Sequence, residues 1–254
     1  MLRLLREGPA TAGSSDITLT HAGETIIVSL RRAPQARRFT LRVRFAARDA
    51  VLTMPLRASL REARAFAERH AAWIAARLQR LPQTIPFAHG SVTPLRGVDH
   101  LITHLPGARG VVWAQPRALQ DGPAMALFVA GGVDHVHRRV TDFLKREAKG
   151  DLEEAVARHA KTIGATYVGV TLRDPVSRWG SCSSTGSLNF SWRLIMAPPY
   201  VLDYLAAHEV AHLEHLDHSP RFWALTNRLT PHVAQAEAWL SAHGAHLHKY
   251  GAKE

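Results

Sequence analysis

The stretch His208-Glu209-Val210-Ala211-His212 constrains this chain more than any other. Residues four apart on a helix lie on one face, about one turn above each other. Two imidazoles at that spacing can hold one Zn²⁺, and the glutamate beside the first can reach a water on the metal. Tyr200 through His212 reads as the helix that carries them, started by Pro198-Pro199. Leu205 and Leu213 share an inward face, and Ala206, Ala207 and Ala211 let neighbouring elements come close.

The third ligand has three candidates. His215 continues the same helical face, His218 lies beyond it, and Glu237 stands on a later helix. On a straight helix His208 and His215 are about 10.5 Å apart along the axis. Zn–N bonds are only about 2.0–2.1 Å. Three rungs of one straight helix therefore converge poorly, and a chain that turns does better. Ser219-Pro220 is a helix start signal, an N-cap followed by proline at the first helical position. Phe222, Leu225 and Leu229 give that next helix its apolar face. His218 sits in the break just before it, so it is the favoured third ligand over His215 and Glu237.

Three protein ligands leave a fourth position for water, as catalytic zinc requires. Glu209 is then placed as the general base that takes the water's proton and passes it to the leaving amine. The reading is a zinc metallopeptidase.

Composition limits the alternatives. The single cysteine, Cys182, allows neither an intrachain disulfide nor a Cys-rich zinc cluster. No segment approaches the roughly 18 apolar residues of a membrane helix, and the first residues lack a signal-peptide core. A cytoplasmic, reducing location is expected. Net charge is +11 and uneven: residues 1–110 hold 17 arginines against 7 acids, while residues 111–254 are nearly balanced. Such a surplus suits a nucleic-acid or acidic partner, or simply a solvated basic face.

The expected class is α+β. Residues 1–15 read as a flexible arm. Residues 16–130 read as a β-rich subdomain with one helix, and residues 131–254 as the domain that carries the motif. Ile17–Thr20 and Thr25–Arg31 read as a hairpin. Phe39–Phe45 reads as a strand with arginines on its wet face, followed by a turn near Ala46–Asp49 and a return strand at Val51–Met54. Ser59-Leu60-Arg61-Glu62 is a capping box. It opens a helix to about Arg80, with Phe66, Trp73, Ile74 and Leu78 as buried candidates. Short strands are expected at Val98–His104 and Met125–Val129. Val133–Ile163 reads as helix, interrupted near Gly150-Asp151. Tyr167–Leu172 and Ser187–Leu194 read as strands around a turn-rich segment, and residues 243–250 as a solvated polar tail.

Several runs in one order carry a resemblance: Arg178-Trp179-Gly180-Ser181-Cys182-Ser183, then Trp192-Arg193-Leu194-Ile195 and Ala197-Pro198, then the helix motif, then His218-Ser219-Pro220-Arg221-Phe222-Trp223. Together they resemble the YgjP-like metallopeptidases, relatives of the SprT-like and WLM zincins. The resemblance implies a zincin-like domain with a small antiparallel sheet and an HExxH active-site helix. It also implies His208, His212 and His218 as zinc ligands and Glu209 as catalytic base. Arg178, Trp179 and Arg193 are candidate substrate contacts, although Arg193 suits an acidic neighbour better. Asp203 and Asp217 are candidate acceptors for ligand imidazoles, Asp203 suiting a solvent-facing first helical turn better. The expected partner is a protein or peptide substrate, whose identity the resemblance does not supply. Rival readings are a nucleic-acid-associated protein with a structural zinc, and a zinc amidase acting on a non-protein amide.

Overall fold

The computed structural model describes residues 16–44, 49–80, 83–117 and 122–251. The expected N-terminal arm and most of the turn near 46–49 fall outside them. The architecture is α+β, with mixed sheets and α-helices in two compact units, 1–82 and 83–254. No described helix is long and apolar enough to cross a membrane.

In the first unit, β1 (Asp16–His21) and β2 (Glu24–Ala33) form the expected hairpin, turning at Ala22-Gly23. β3 (Thr40–Arg44) pairs with β4 (Asp49–Pro55), and β4 inserts between β3 and β2 to give the order β1-β2-β4-β3. Strand alternation turns Ile17, Leu19, Ile26, Val28, Leu52 and Met54 to one face. There they meet α1 (Leu60–Arg69) and α2 (Ala71–Gln79) through Ala63, Ala67, Ala71, Ile74 and Ala75. Arg31 and Arg42 lie exposed.

The capping box forms as expected: Ser59 Oγ accepts from the Glu62 amide, and the Glu62 carboxylate accepts from the Ser59 amide. The single helix expected after it is two. It breaks at His70, whose Nδ1 lies 2.8 Å from the Phe66 carbonyl oxygen. The second piece buries Ile74, but Trp73 is 45% exposed under the Arg77 guanidinium.

In the second unit, β5 (Val92–Leu95), β6 (Val98–Leu105), β7 (Val112–Pro116) and β8 (Met125–Ala130) form a sheet in the order β5-β6-β8-β7. Packing therefore divides the chain near 82, whereas the sequence suggested 130. The reason is that Leu95, Ile102, Leu127 and Val129 share one core with α3 (Val136–Ile163). That helix runs uninterrupted through Gly150. The residues around the glycine are held from outside, since Arg96 binds both Glu147 and Asp151.

Arg96 belongs to the β5–β6 turn. Arg96 and Gly97 both have positive φ, 51° and 77°. Their amides donate to the carbonyls of Ile195 and Met196 at 2.6 and 3.3 Å. A Cβ on Gly97 would stand 3.1 Å from Pro198 Cα. The turn thus braces the entry to α4 (Pro199–Ala211).

The last sheet contains β9 (Gly169–Arg173), β10 (Gly180–Cys182) and β11 (Ser187–Ser191) in the order β10-β11-β9. It was expected to be antiparallel but is mixed, because β9 and β11 run parallel. Residues Trp192–Met196 leave the sheet as a buried 3₁₀ turn instead of extending β11 to Leu194. Ser191 Oγ accepts from the Arg193 amide at its start. The chain continues through α5 (Pro220–Leu229) and α6 (Val233–His243). The expected solvated tail is instead packed: Leu247 and His248 are buried, and Arg193 donates to the carbonyls of Leu247 and Tyr250.

Asp203 on α4 ties three helices together. It accepts from His159 Nε2 at 2.8 Å, from Thr230 Oγ1 at 2.9 Å and from Arg158. It is neither an acceptor for the motif imidazoles nor a solvent-facing residue. Burial raises its pKa, but the bonds from His159, Thr230 and Arg158 outweigh burial and hold it at about 2. A carboxylate with a depressed folded pKa contributes stability above its unfolded pKa, and that stability is lost as pH falls through the folded value. Asp203→Asn should therefore cost about 2 kcal/mol near neutrality. In denaturant titrations the gap to wild type should close as pH falls from 3.8 towards about 2. A gap unchanged at the acid end would contradict this role.

Candidate metal centre

Helix α4 is buried on nearly every side, and its small residues allow this. Ala206, Ala207 and Ala211 are fully enclosed, and α3, α5, α6 and β10 all pack against it. His208 and His212 project together from it, half-buried, with ring centroids 5.0 Å apart. The helix ends at Ala211, where the amides of Glu214 and His215 turn back to the Ala211 carbonyl. The chain then returns, and His218 Nε2 comes to 3.2 Å from His208 Nε2.

One ring nitrogen from each of His208, His212 and His218 lies within 4.8 Å of the other two, a group that could hold a metal ion. Tetrahedral ligands at about 2.0–2.1 Å stand roughly 3.3 Å from each other. The His208–His218 spacing fits that already. His212 Nδ1 lies 2.9 Å from the His215 carbonyl oxygen, so as a donor there it leaves Nε2 free for a metal. The donor set is nitrogen alone, which suits zinc, copper, iron or nickel rather than magnesium or calcium. The His215 ring does not join the cluster; its backbone oxygen serves the site instead. Glu237 meets the Tyr204 hydroxyl at 3.0 Å rather than joining the three rings. Asp217 is exposed and accepts from the Ser219 amide.

Phe222, fully buried, underlies all three imidazoles. It stacks on His212 at 4.5 Å and meets His208 and His218 edge-on at 4.9 and 4.8 Å. Ser219-Pro220 sets the register of α5 and so delivers this ring. Burial, with His212 and His218 alongside, pushes the His208 pKa down to about 3. Burial also lowers that of His212. These two rings are therefore neutral near pH 7, the form that ligates metal.

Glu209 is buried at the wall of a cleft. It is 4% exposed, and its Oε2 has no hydrogen-bond partner. Burial raises its pKa to about 8, against the opposing effects of Arg178 and the Cys182 backbone. The side chain lies directly on Gly180 of β10, where a Cβ would fall 2.4 Å from Oε1 and 2.8 Å from Cγ. Strand β10 was missed in the sequence because its three residues lie inside a run of turn formers. The Trp-Gly pair was visible, but its meaning depends on what packs over the glycine.

A cleft of about 380 Å³ opens here, lined by Trp179, Gly180, Tyr204, Leu205, His208, Glu209, Glu237 and Leu240. Of the expected substrate contacts, Trp179 lines it. Arg178 is exposed, with its charge felt at Glu209. Arg193 does not line it. That guanidinium is buried on Asp174, with Nε–Oδ1 at 2.6 Å, and on the carbonyls of Leu247 and Tyr250. The pairing with an acidic neighbour is what the structure contains.

Gly180→Ala tests the contact with Glu209. The added methyl should cost about 1–3 kcal/mol of unfolding free energy, as overpacking does. The cost should vanish in a Glu209→Ala background, because the methyl then fills the vacated space. An equal cost in both backgrounds would show that Gly180 answers to something else.

A family model described as YgjP-like, metallopeptidase domain, matches residues 37–243. No curated protein and no solved structure matches the chain. The matched span takes in most of both units and the whole of the cleft, and by it the chain belongs to the YgjP-like metallopeptidase family.

Proposed function

We propose that this protein is a zinc-dependent peptidase in which His208, His212 and His218 hold the metal and Glu209 is the general base. The observation that carries the reading is the convergence of three ring nitrogens within 4.8 Å, one residue along the helix from a buried carboxyl on the cleft wall. A zinc ion held there would supply Lewis acidity and a water whose pKa is lowered towards about 7. Glu209 takes a proton from the attacking water and returns it to the leaving nitrogen. Its Oε2, which has no hydrogen-bond partner, is the oxygen left to exchange that proton.

Strand β10 has β11 on one side only, so an extended peptide can add along its other edge, beside Glu209. Trp179 and Arg178 then flank the substrate, while Arg193 anchors the C-terminal segment. A structural zinc is disfavoured because it needs a fourth protein ligand. Among the described residues the metal-capable group contains three histidines.

Two variants test the proposal. His208→Ala should lose bound zinc. Glu209→Gln should keep zinc and lose at least 100-fold of the hydrolytic rate, the scale of general-base catalysis at about 10²–10⁴. New peptide N-termini, mapped across a proteome digested with each protein, should appear with wild type and be absent with Glu209→Gln. Identical termini from both would contradict the assigned base. A wild-type enzyme that produces none while hydrolysing small amides would favour the amidase reading.

A further inference from the structure

Tyr204 stands one turn before His208 on α4, buried to 4% exposure, with its ring edge-on to the imidazole at 5.7 Å. Its hydroxyl lies between two groups: Glu237 Oε1 at 3.0 Å and His208 Nδ1 at 3.4 Å. The direction of these bonds is set by chemistry. An ionised carboxylate only accepts, so the phenol proton goes to Glu237. The phenol keeps that proton, since an ordinary phenol, with a pKa of about 10, is protonated near neutrality. The remaining lone pairs of Tyr204 Oη face His208 Nδ1, which satisfies them only as an N–H donor. His208 Nε2 is then unprotonated, and it is the nitrogen that faces His218 at 3.2 Å.

His212 has a different device for the same end, the His215 carbonyl 2.9 Å from its Nδ1. Each motif histidine thus has its outer nitrogen engaged and its inner one directed at the cluster. The two devices differ in charge, since only the His208 arm ends on a carboxylate.

We propose that Tyr204 and Glu237 form a positioning relay that holds His208 in the Nδ1–H tautomer and directs Nε2 at the metal. The inference rests on the reading that the three histidines hold zinc, and it gives Glu237 a role behind a ligand rather than as one. Tyr204 acts through His208 and not on substrate, although it lines the cleft.

The test measures zinc affinity of the metal-free full chain by competition with a chromophoric chelator, for wild type, Tyr204→Phe, Glu237→Gln and the double variant. Orienting partners of this kind are worth about 10- to 100-fold in metal affinity. Tyr204→Phe should fall in that range. Glu237→Gln should weaken binding in the wild-type background and add nothing in the Tyr204→Phe background, because its effect passes through the phenol. Full affinity in Tyr204→Phe would overturn the proposal. So would a Glu237→Gln effect that persists undiminished without the phenol.

Glu237 is exposed, so its variant keeps the fold even if Tyr204→Phe does not. A second readout is independent of metal. Nitrogen-15 NMR of metal-free wild type should show His208 protonated at Nδ1, and Tyr204→Phe should shift the proton towards Nε2. An Nε2–H tautomer in wild type would overturn the relay directly. A wild type that binds no zinc would instead contradict the reading of the site, and the tautomer would still decide the relay.

Discussion

One buried carboxyl governs this site. Glu209 sits in the packed interior with one oxygen lacking any hydrogen-bond partner, alone in this among the buried side-chain nitrogens and oxygens of the described residues. Leaving such a group unsatisfied costs about 1–3 kcal/mol. A fold keeps an unsatisfied polar group where the strain has a use. Everything nearby is arranged to hold it. The helix packs tightly through alanines, β10 offers the bare backbone of Gly180, and the Cys182 backbone gives one partial compensation. A larger residue at 180 would remove the space in which Glu209 lies.

The same helix carries His208 and ends on His212, so its placement fixes two of the three imidazoles. Placement comes from parts far apart in sequence. The Arg96-Gly97 turn lies against Pro198 at the helix entry. Asp203 joins the middle of the helix to α3 and to the end of α5. Arg193 binds the C-terminal segment, whose His248 ring stacks on Trp179 at 5.4 Å. The sheet of β5–β8 and residues 247–250 therefore act on the site by holding α4 and Trp179.

Much of this was legible in the sequence where the signal is local. The HExxH spacing, the Ser219-Pro220 start, the Ser59 capping box and the first hairpin all depend on residues within a few positions of one another, and each formed. The break before α5 distinguished His218 from His215 for the same reason. What was not legible depends on partners distant in the chain. Gly150 looked like a helix breaker because its support, Arg96 on Glu147 and Asp151, comes from a turn 51 and 55 residues earlier in the chain. The polar tail looked solvated because its anchor is Arg193. Tyr204 carried no signal, since its partner Glu237 lies on another helix. The arginine surplus gave the sign of the first unit's surface and nothing about what meets it, because charge has no geometry until a fold supplies one.

The proposed peptidase chemistry stands on three histidines meeting at one zinc. The most direct measurement is anomalous diffraction at the zinc edge from crystals of the zinc-loaded full-length chain. It should give one site in the cleft, with a nitrogen of His208, His212 and His218 each about 2.0–2.1 Å away. The Glu237 carboxylate should remain on Tyr204. A zinc ion bound elsewhere, or one ligated by His215 or Glu237 in place of His218, would contradict it.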